Sequence, residues 1–514
     1  MDFHHLTFIL FFMPFCVIVY KLLELAGEDA LVRLRKAFLI CASVVYLLCF
    51  GIRHAAALAA SIVFNYAAWC VMEKINVDGA QDRHRKGHVP RKRTVAACAI
   101  AINVACLLVF KLTRFPMPMG ISFYTFTQVA FLADALRGEA AVASFPDYLL
   151  HALFFPRFLQ GPIVRYADTR EMILSRLGRK VRAEHVLNGA LLFSLGLGKK
   201  VLLADLLARE INFAYGVIPD LTRPDALLTI LIYPMMLYFD FSAYCDMGMG
   251  VCRMMALDLP DNFRTPLRAA SVAKLWKRWH ISLTAFFTRY VYIPLGGNRK
   301  GEARRCLNTL IVFALSAFWH GTGWGFMIWG MMHGIALLLT ARIDRVIDPL
   351  LLDGDGRPKH PVAALCQAVR VLLCYVYVCA TYVFFRADSL QDAFKLFERT
   401  YGALVGYVSG PVSATFALDE VRYAVRAFAP DNAFLFRYGS MITVLAAGAV
   451  VLFAAPRAKD IADRITREAS GLPGEKGSGA GMALLGICAV LCAALFVWSL
   501  ISSGGVSTYV YVNF

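Results

Sequence analysis

The chain has 514 residues, 59% hydrophobic and 17% charged, with a formal net charge of +17. So apolar a composition excludes a soluble enzyme of this length and defines a polytopic membrane protein. The positive charge does not indicate nucleic acid, because Lys and Arg fall in short loops between apolar runs, as cytoplasmic loops do.

The first apolar run, Leu6 to Leu23, lacks a basic leader and a small-residue cleavage site, so it reads as a retained first span. Further runs follow at 37–52, 55–72, 94–112, 118–136, 186–206, 226–252, 306–320, 322–340, 362–385, 439–455 and 482–501. One crossing takes about twenty apolar residues. Several runs are shorter, and the pattern predicts about 11–13 tilted, kinked or partly re-entrant helices in a single integral-membrane domain, 1–514. Basic loops at 74–93, 165–182, 297–305 and 457–476 belong on the cytoplasmic side. Both termini then lie outside, and residues 502–514 form an extracytoplasmic tail.

Two segments do not read as simple spans. FFPRFLQGPIVRY (154–166) carries Pro156, Gly161 and Pro162, and AFFTRYVYIPLGGNR (285–299) runs into Pro294 and Gly296-Gly297. Irregular backbone at membrane depth survives only inside protein or around a water-filled cavity. Both are read as re-entrant pieces lining a central cavity, with interfacial amphipathic helices as the alternative. Between them, Asp240 and Asp246 stand six apart in an apolar run and do not share a helical face. They line the cavity and pair with cations such as Arg278 or Arg289, or they hydrogen-bond within the bundle.

The stretch from Lys274 to Gly334 is the densest in chemistry. It holds three of the eleven histidines, His280, His320 and His333, and five of the seven tryptophans, Trp276, Trp279, Trp319, Trp324 and Trp329. His320 interrupts an apolar run, where a charged side chain costs about 2.5–3.5 kcal/mol on insertion scales and marks function by default. The plain alternative is a neutral imidazole bonding a neighbouring helix. Beyond it, 386–438 turns amphipathic and belongs on the outer face, while 471–481 has the composition of a flexible linker. The fourteen cysteines include no CxxC pair and read as small buried hydrophobes, with no metal site.

In order along the chain stand MPMGISFYTFTQ (117–128), FFPRFLQGPIVRY (154–166), DFSAYCDMGMG (240–250), NFRTP (262–266), LWKRWHISL (275–283), YVYIPLGGNR (290–299), FWHGTGWGFMIWG (318–330) and FFRADS (384–389). With this series the chain resembles the alginate O-acetyltransferase-like bacterial branch of the membrane-bound O-acyltransferase superfamily. The resemblance implies a ring of tilted helices around a central tunnel, with a catalytic core at about 117–340. It implies transfer of an acetyl group from a cytosolic thioester, acetyl-CoA, toward an extracytoplasmic polysaccharide. An SGNH-type periplasmic acetyltransferase is the implied partner, and the bacterial cytoplasmic (inner) membrane the implied location. His320 matches the family's essential histidine, His280 a second motif histidine, and His333 a later family position. Relatives commonly carry an Arg-Asp pair where this chain has Thr288-Arg289, and an aromatic tail in which Tyr511 takes the tyrosine position of an acyl relay.

Acyl transfer to a hydroxyl needs a proton acceptor at the hydroxyl and a donor near the acyl oxygen. The expected roles are His320 as general base, His280 positioning or polarising the thioester carbonyl, and Trp279, Trp319 and Trp324 walling the cavity with His333. Lys277, Arg278 and Arg299, with Lys274 and Lys300, are suited to the donor's phosphates or to anionic lipid. A transporter of an acyl donor or lipid-linked sugar is the competing class, disfavoured by the lack of internal repeats. An acyltransferase with a lipid or protein acceptor is a third reading.

Overall fold

The computed structural model describes residues 2–81, 88–113, 115–401, 407–470, 493–494 and 496–498. Most of the expected last span 482–501, the 471–481 linker, and the tail with Tyr511 lie outside the described residues.

The elements that matter are α1 (Phe8–Ala26), α2 (Glu28–Leu48), α3 (Ile52–Gln81), α4 (His88–Leu112), α5 (Ile121–Leu136), α6 (Ala183–Gly198), α7 (Arg223–Met254), α8 (Ile281–Phe287), α9 (Glu302–His320), α10 (Trp324–Leu351), α11 (Pro361–Arg386), α12 (Ala433–Phe453) and α13 (Ala458–Ser470). Among the described residues there is no β-strand, only one isolated bridge between Leu352 and Pro358. The protein is an all-α, multi-pass membrane protein. Among the described residues, seven helices, α1, α3, α4, α7, α10, α11 and α12, are long and apolar enough to cross a bilayer by length and composition alone. The other expected spans that are described are shorter or carry charge. α5 has only 16 residues, α9 opens on Glu302, Arg304 and Arg305, and α6 gives way to Lys199-Lys200.

The bundle is organised around α7. Protein covers 83% of its apolar window, against 22–33% for the other six long spans. Thr222 and Asp225 start it with reciprocal side-chain-to-backbone bonds. α6 packs along it at backbone contact. A Cβ on Gly189 would lie 2.4 Å from the Gly250 carbonyl oxygen, and one on Gly250 would lie 2.7 Å from that of Gly189. After α6 the chain widens into a π-helical segment, Lys199–Ala204, which sets two consecutive lysines against α7.

Segment 154–162 is fully buried and irregular, with a single 3-10 turn at Phe155–Arg157. It lies in the interior, as a re-entrant piece should, and not on the membrane surface. Segment 285–299 behaves differently. It continues α8 into a π-helical turn, Thr288–Tyr292, and is exposed at Ile293, Pro294 and 298–300. The region 386–438 forms short helices Leu390–Glu398, Gly410–Ala414 and Asp419–Phe428. Tyr401, Tyr407, Tyr423 and Phe428 are exposed on this region.

Candidate active site

His280 is built from a short helix whose start, at Ser271, is capped by the serine's own hydroxyl. At His280 the backbone turns left-handed, with φ +44° and ψ +55°. A non-glycine residue there costs about 1–2 kcal/mol and persists only where the surroundings enforce it. Asn262 enforces it: its carbonyl accepts from the Ile281 N–H at 3.0 Å, and Arg264 N–H donates to the Arg278 carbonyl at 2.9 Å.

The Asn262 side chain then decides which His280 nitrogen is free. Its Oδ1 accepts from the Ser282 N–H at 3.1 Å and the Ser282 hydroxyl at 2.9 Å, and lies 3.3 Å from His280 Nδ1. Its Nδ2 faces Cys245 Sγ at 3.6 Å. An acceptor oxygen requires the hydrogen on Nδ1, which leaves Nε2 as a bare lone pair. That nitrogen is buried, and no group among the described residues bonds it. The ring meets Phe241 edge-on at 4.8 Å.

His320 is the last residue of α9, whose 19 residues rise about 27 Å from the 297–305 loop. Gly321 N–H closes the helix on the Ala317 carbonyl, and the Phe326 ring occupies the space a side chain at Gly321 would fill. The His320 ring lies 4.3 Å from Trp319, 4.9 Å from Phe385 and 5.3 Å from Trp329. Trp319 also stands 6.5 Å from the His280 ring, so one indole neighbours both histidines.

The other expected residues fall in different places. Trp279 is buried against Phe263 and Tyr382. Trp324 is 75% exposed and walls nothing. It opens α10, and the residue five positions on, Trp329, faces inward in its stead, because five residues advance a helix by more than one full turn. His333 is a strut. Trp276 Nε1–H donates to its Nδ1 at 3.3 Å, so its Nε2–H donates to the Thr381 hydroxyl at 2.9 Å, and both nitrogens are spent.

Asp240 and Asp246 do not pair with Arg278 or Arg289. Lys200 bonds Asp240 at 2.7 Å and Asp205 at 2.8 Å, while Lys199 bonds Asp246 at 2.5 Å and the Ser242 hydroxyl at 3.0 Å. Arg289 instead meets Asp134 at 3.2 Å and also Glu139, and Arg165 joins the same two carboxylates. The departure at Thr288-Arg289 therefore still yields an ion pair, with α5 as its partner.

A cavity of about 540 Å³ is lined by Ile163, Arg165, Asp168, Lys277, Ser282 and Arg289 among others. Of the cations expected to hold a donor, only Lys277 borders it. Arg299 is exposed elsewhere, Arg278 contributes its backbone carbonyl, and Lys274 is committed to Asp348 at 2.7 Å. Ile281 and Ser282, the two residues after His280, are part of the cavity lining, and His280 itself is not.

Sequence reasoning passed over Asn262, Arg165, Trp329 and the two lysines. The Lys-Lys pair inside an apolar run was a visible signal, since two ammonium groups there need partners. Lys111 was also missed. At the end of α4, its Nζ donates to the Trp319 carbonyl, one of the acceptors that α9 leaves open at its terminus. Among the described residues no cluster of three or more metal-binding side chains occurs.

Two buried imidazoles beside one buried indole, inside a multi-pass helical bundle, are groups able to accept a proton away from bulk solvent. The chain belongs to the membrane-bound O-acyltransferase family, which it matches over residues 46–385. It is an O-acyltransferase of the bacterial branch. It is 30% identical to a peptidoglycan O-acetyltransferase of Helicobacter pylori over 438 residues, 77% of this chain and 79% of the relative. It is likewise 30% identical to a probable alginate O-acetylase of Pseudomonas fluorescens over 406 residues, 78% and 75% of the two chains. A teichoic acid D-alanyltransferase of Streptococcus thermophilus is 27% identical over 239 residues, 43% of this chain and 56% of the relative.

Proposed function

We propose that this enzyme takes an acetyl group from acetyl-CoA at the cytosolic face of the bacterial inner membrane and passes it toward an extracytoplasmic polysaccharide. The observation that carries this reading is the pair of buried histidines beside Trp319, with the two residues that follow the first lining a 540 Å³ cavity. Arg165, Lys277 and Arg289 give the cavity a cationic part of its lining suited to phosphates, and they replace the Arg278 and Arg299 expected for that task. The names of the two relatives that act on peptidoglycan and alginate favour a polysaccharide acceptor.

His320 acts as general base toward the acceptor hydroxyl and then returns the proton to sulfur. His280 offers a lone pair and no spare N–H, so it orients the hydroxyl by accepting a hydrogen bond and does not polarise the carbonyl. Tyr511 in the tail is the proposed relay to an SGNH-type partner outside. His320→Ala should abolish ester-linked acetate on the envelope polymer at unchanged protein level in the membrane. Retained acetylation removes His320 from the chemistry. Tyr511→Phe keeps the ring and loses the nucleophile, so full activity in that variant defeats the relay.

A further inference from the structure

Buried tryptophans ordinarily satisfy their indole N–H, and this fold provides for it elsewhere. The buried Trp276 donates to His333. Trp319 and Trp329 are different. They are 5% and 1% exposed, and neither Nε1 has an acceptor among the described residues. Both rings lie against His320, at 4.3 and 5.3 Å. Only Trp319 also stands beside His280. Leaving a buried donor unsatisfied costs about 1–3 kcal/mol, and two orphaned indole donors on the rings around one histidine fit an acceptor that arrives with the substrate.

Trp319 is also held from both ends. Phe126 packs on its ring at 5.4 Å, and Lys111 fixes its backbone carbonyl. Such a donor does not have to reorganise when charge appears beside it, which is the condition for strong oxyanion stabilisation.

We propose that Trp319 is a catalytic residue whose indole N–H donates to the acyl oxygen as the thioester is attacked. The inference rests on the reading of His320 as the base. The hydroxyl oxygen bonds the carbonyl carbon, its proton passes to His320, and the C=O pair moves onto oxygen, where Trp319 meets it. On collapse the C=O bond re-forms, the C–S bond breaks with its pair on sulfur, and His320 returns the proton there. Ester and free thiol leave, with no further reactant needed. Trp319 thus takes the electrophilic role that His280, with its only N–H on Asn262, does not fill.

The test replaces the N–H while keeping the shape. In a strain deleted for the gene, Trp319 is replaced by 3-benzothienylalanine, in which sulfur stands in place of Nε1–H, and separately by Phe. Incorporation of labelled acetate into ester-linked envelope polymer is measured at matched membrane abundance, with His320→Ala as the zero. The expected result is a loss of about 10²- to 10³-fold in both Trp319 variants, the range for removal of one oxyanion donor. A sulfur isostere within twofold of wild type, with His320→Ala inactive, overturns the inference and leaves the function intact. If the isostere fails to accumulate, the Phe variant decides on the same criterion. Acetylation persisting in His320→Ala overturns the reading of the base and this inference with it.

Discussion

Asn262 shows how a residue with no chemistry of its own sets the chemistry of another. Its Oδ1 collects the Ser282 amide and hydroxyl together with His280 Nδ1, while its backbone carbonyl pins the residue after the histidine. Removing such a buried acceptor costs about 1–3 kcal/mol. Asn262→Ala should therefore lower the acylation rate by roughly 10- to 100-fold while the protein still reaches the membrane. An unchanged rate, measured as acetyl ester per unit of membrane protein, would show that His280 does not need this tautomer. The motif Asn-Phe-Arg-Thr-Pro was plain in the sequence, but nothing in its spacing linked it to a histidine eighteen positions on. The link exists only because His280 adopts a left-handed backbone that brings the two strands of chain together.

At the scale of elements, the π-helical segment after α6 and the charges on α7 form one device. Asp240 and Asp246 sit on different faces of α7, and the wider turn lets adjacent lysines reach one each. A buried ion pair contributes little over an apolar substitute, but breaking it from one side is expensive, about 3–5 kcal/mol. Lys200→Met, which strands Asp240 and Asp205, should lower thermal stability by that order in a detergent melting assay. The double change Lys200→Met with Asp240→Asn should recover part of the loss. No recovery would mean that Asp205 is the dominant partner. Periodicity could not reveal this arrangement, because it reports the face a residue takes on a regular helix and the helix here is not regular.

At the scale of the whole molecule, α13 is a strap held to the residues that follow α7. Arg457 and Lys459 meet Asp261 at 3.1 and 2.8 Å, and Arg264 approaches at 3.4 Å. Burial works against the Asp261 charge, but the hydrogen bond and charge of Lys459 and the charges of Arg457 and Arg264 outweigh it and hold the carboxyl below its ordinary range. A depressed carboxyl gives its full stabilisation above the unfolded value of about 3.9 and loses it as pH falls through the lower folded value. Hydrogen exchange of 458–470, corrected for intrinsic rates, should therefore stay slow from pH 7 to 5 and accelerate only below about 4. Asp261→Asn should release the strap at pH 7. Protection that fades already at pH 5 would contradict the clamp. Much of the bundle was legible from apolar runs and basic loops, including its class, its order and the buried Pro-Gly segment. The walls of the site were not. Trp324 and Trp329 look alike in the sequence, and only the start of α10 decides which of them turns inward.

The position of His320 as the final residue of a helix anchored at its other end makes the enzyme sensitive to phase. One alanine inserted in the middle of α9 would swing the imidazole by 100° and advance it about 1.5 Å, away from Trp319's neighbours, without altering a single side chain of the catalytic centre. Such an insertion should silence acylation as fully as loss of the histidine, and a compensating deletion one turn further along α9 should restore it.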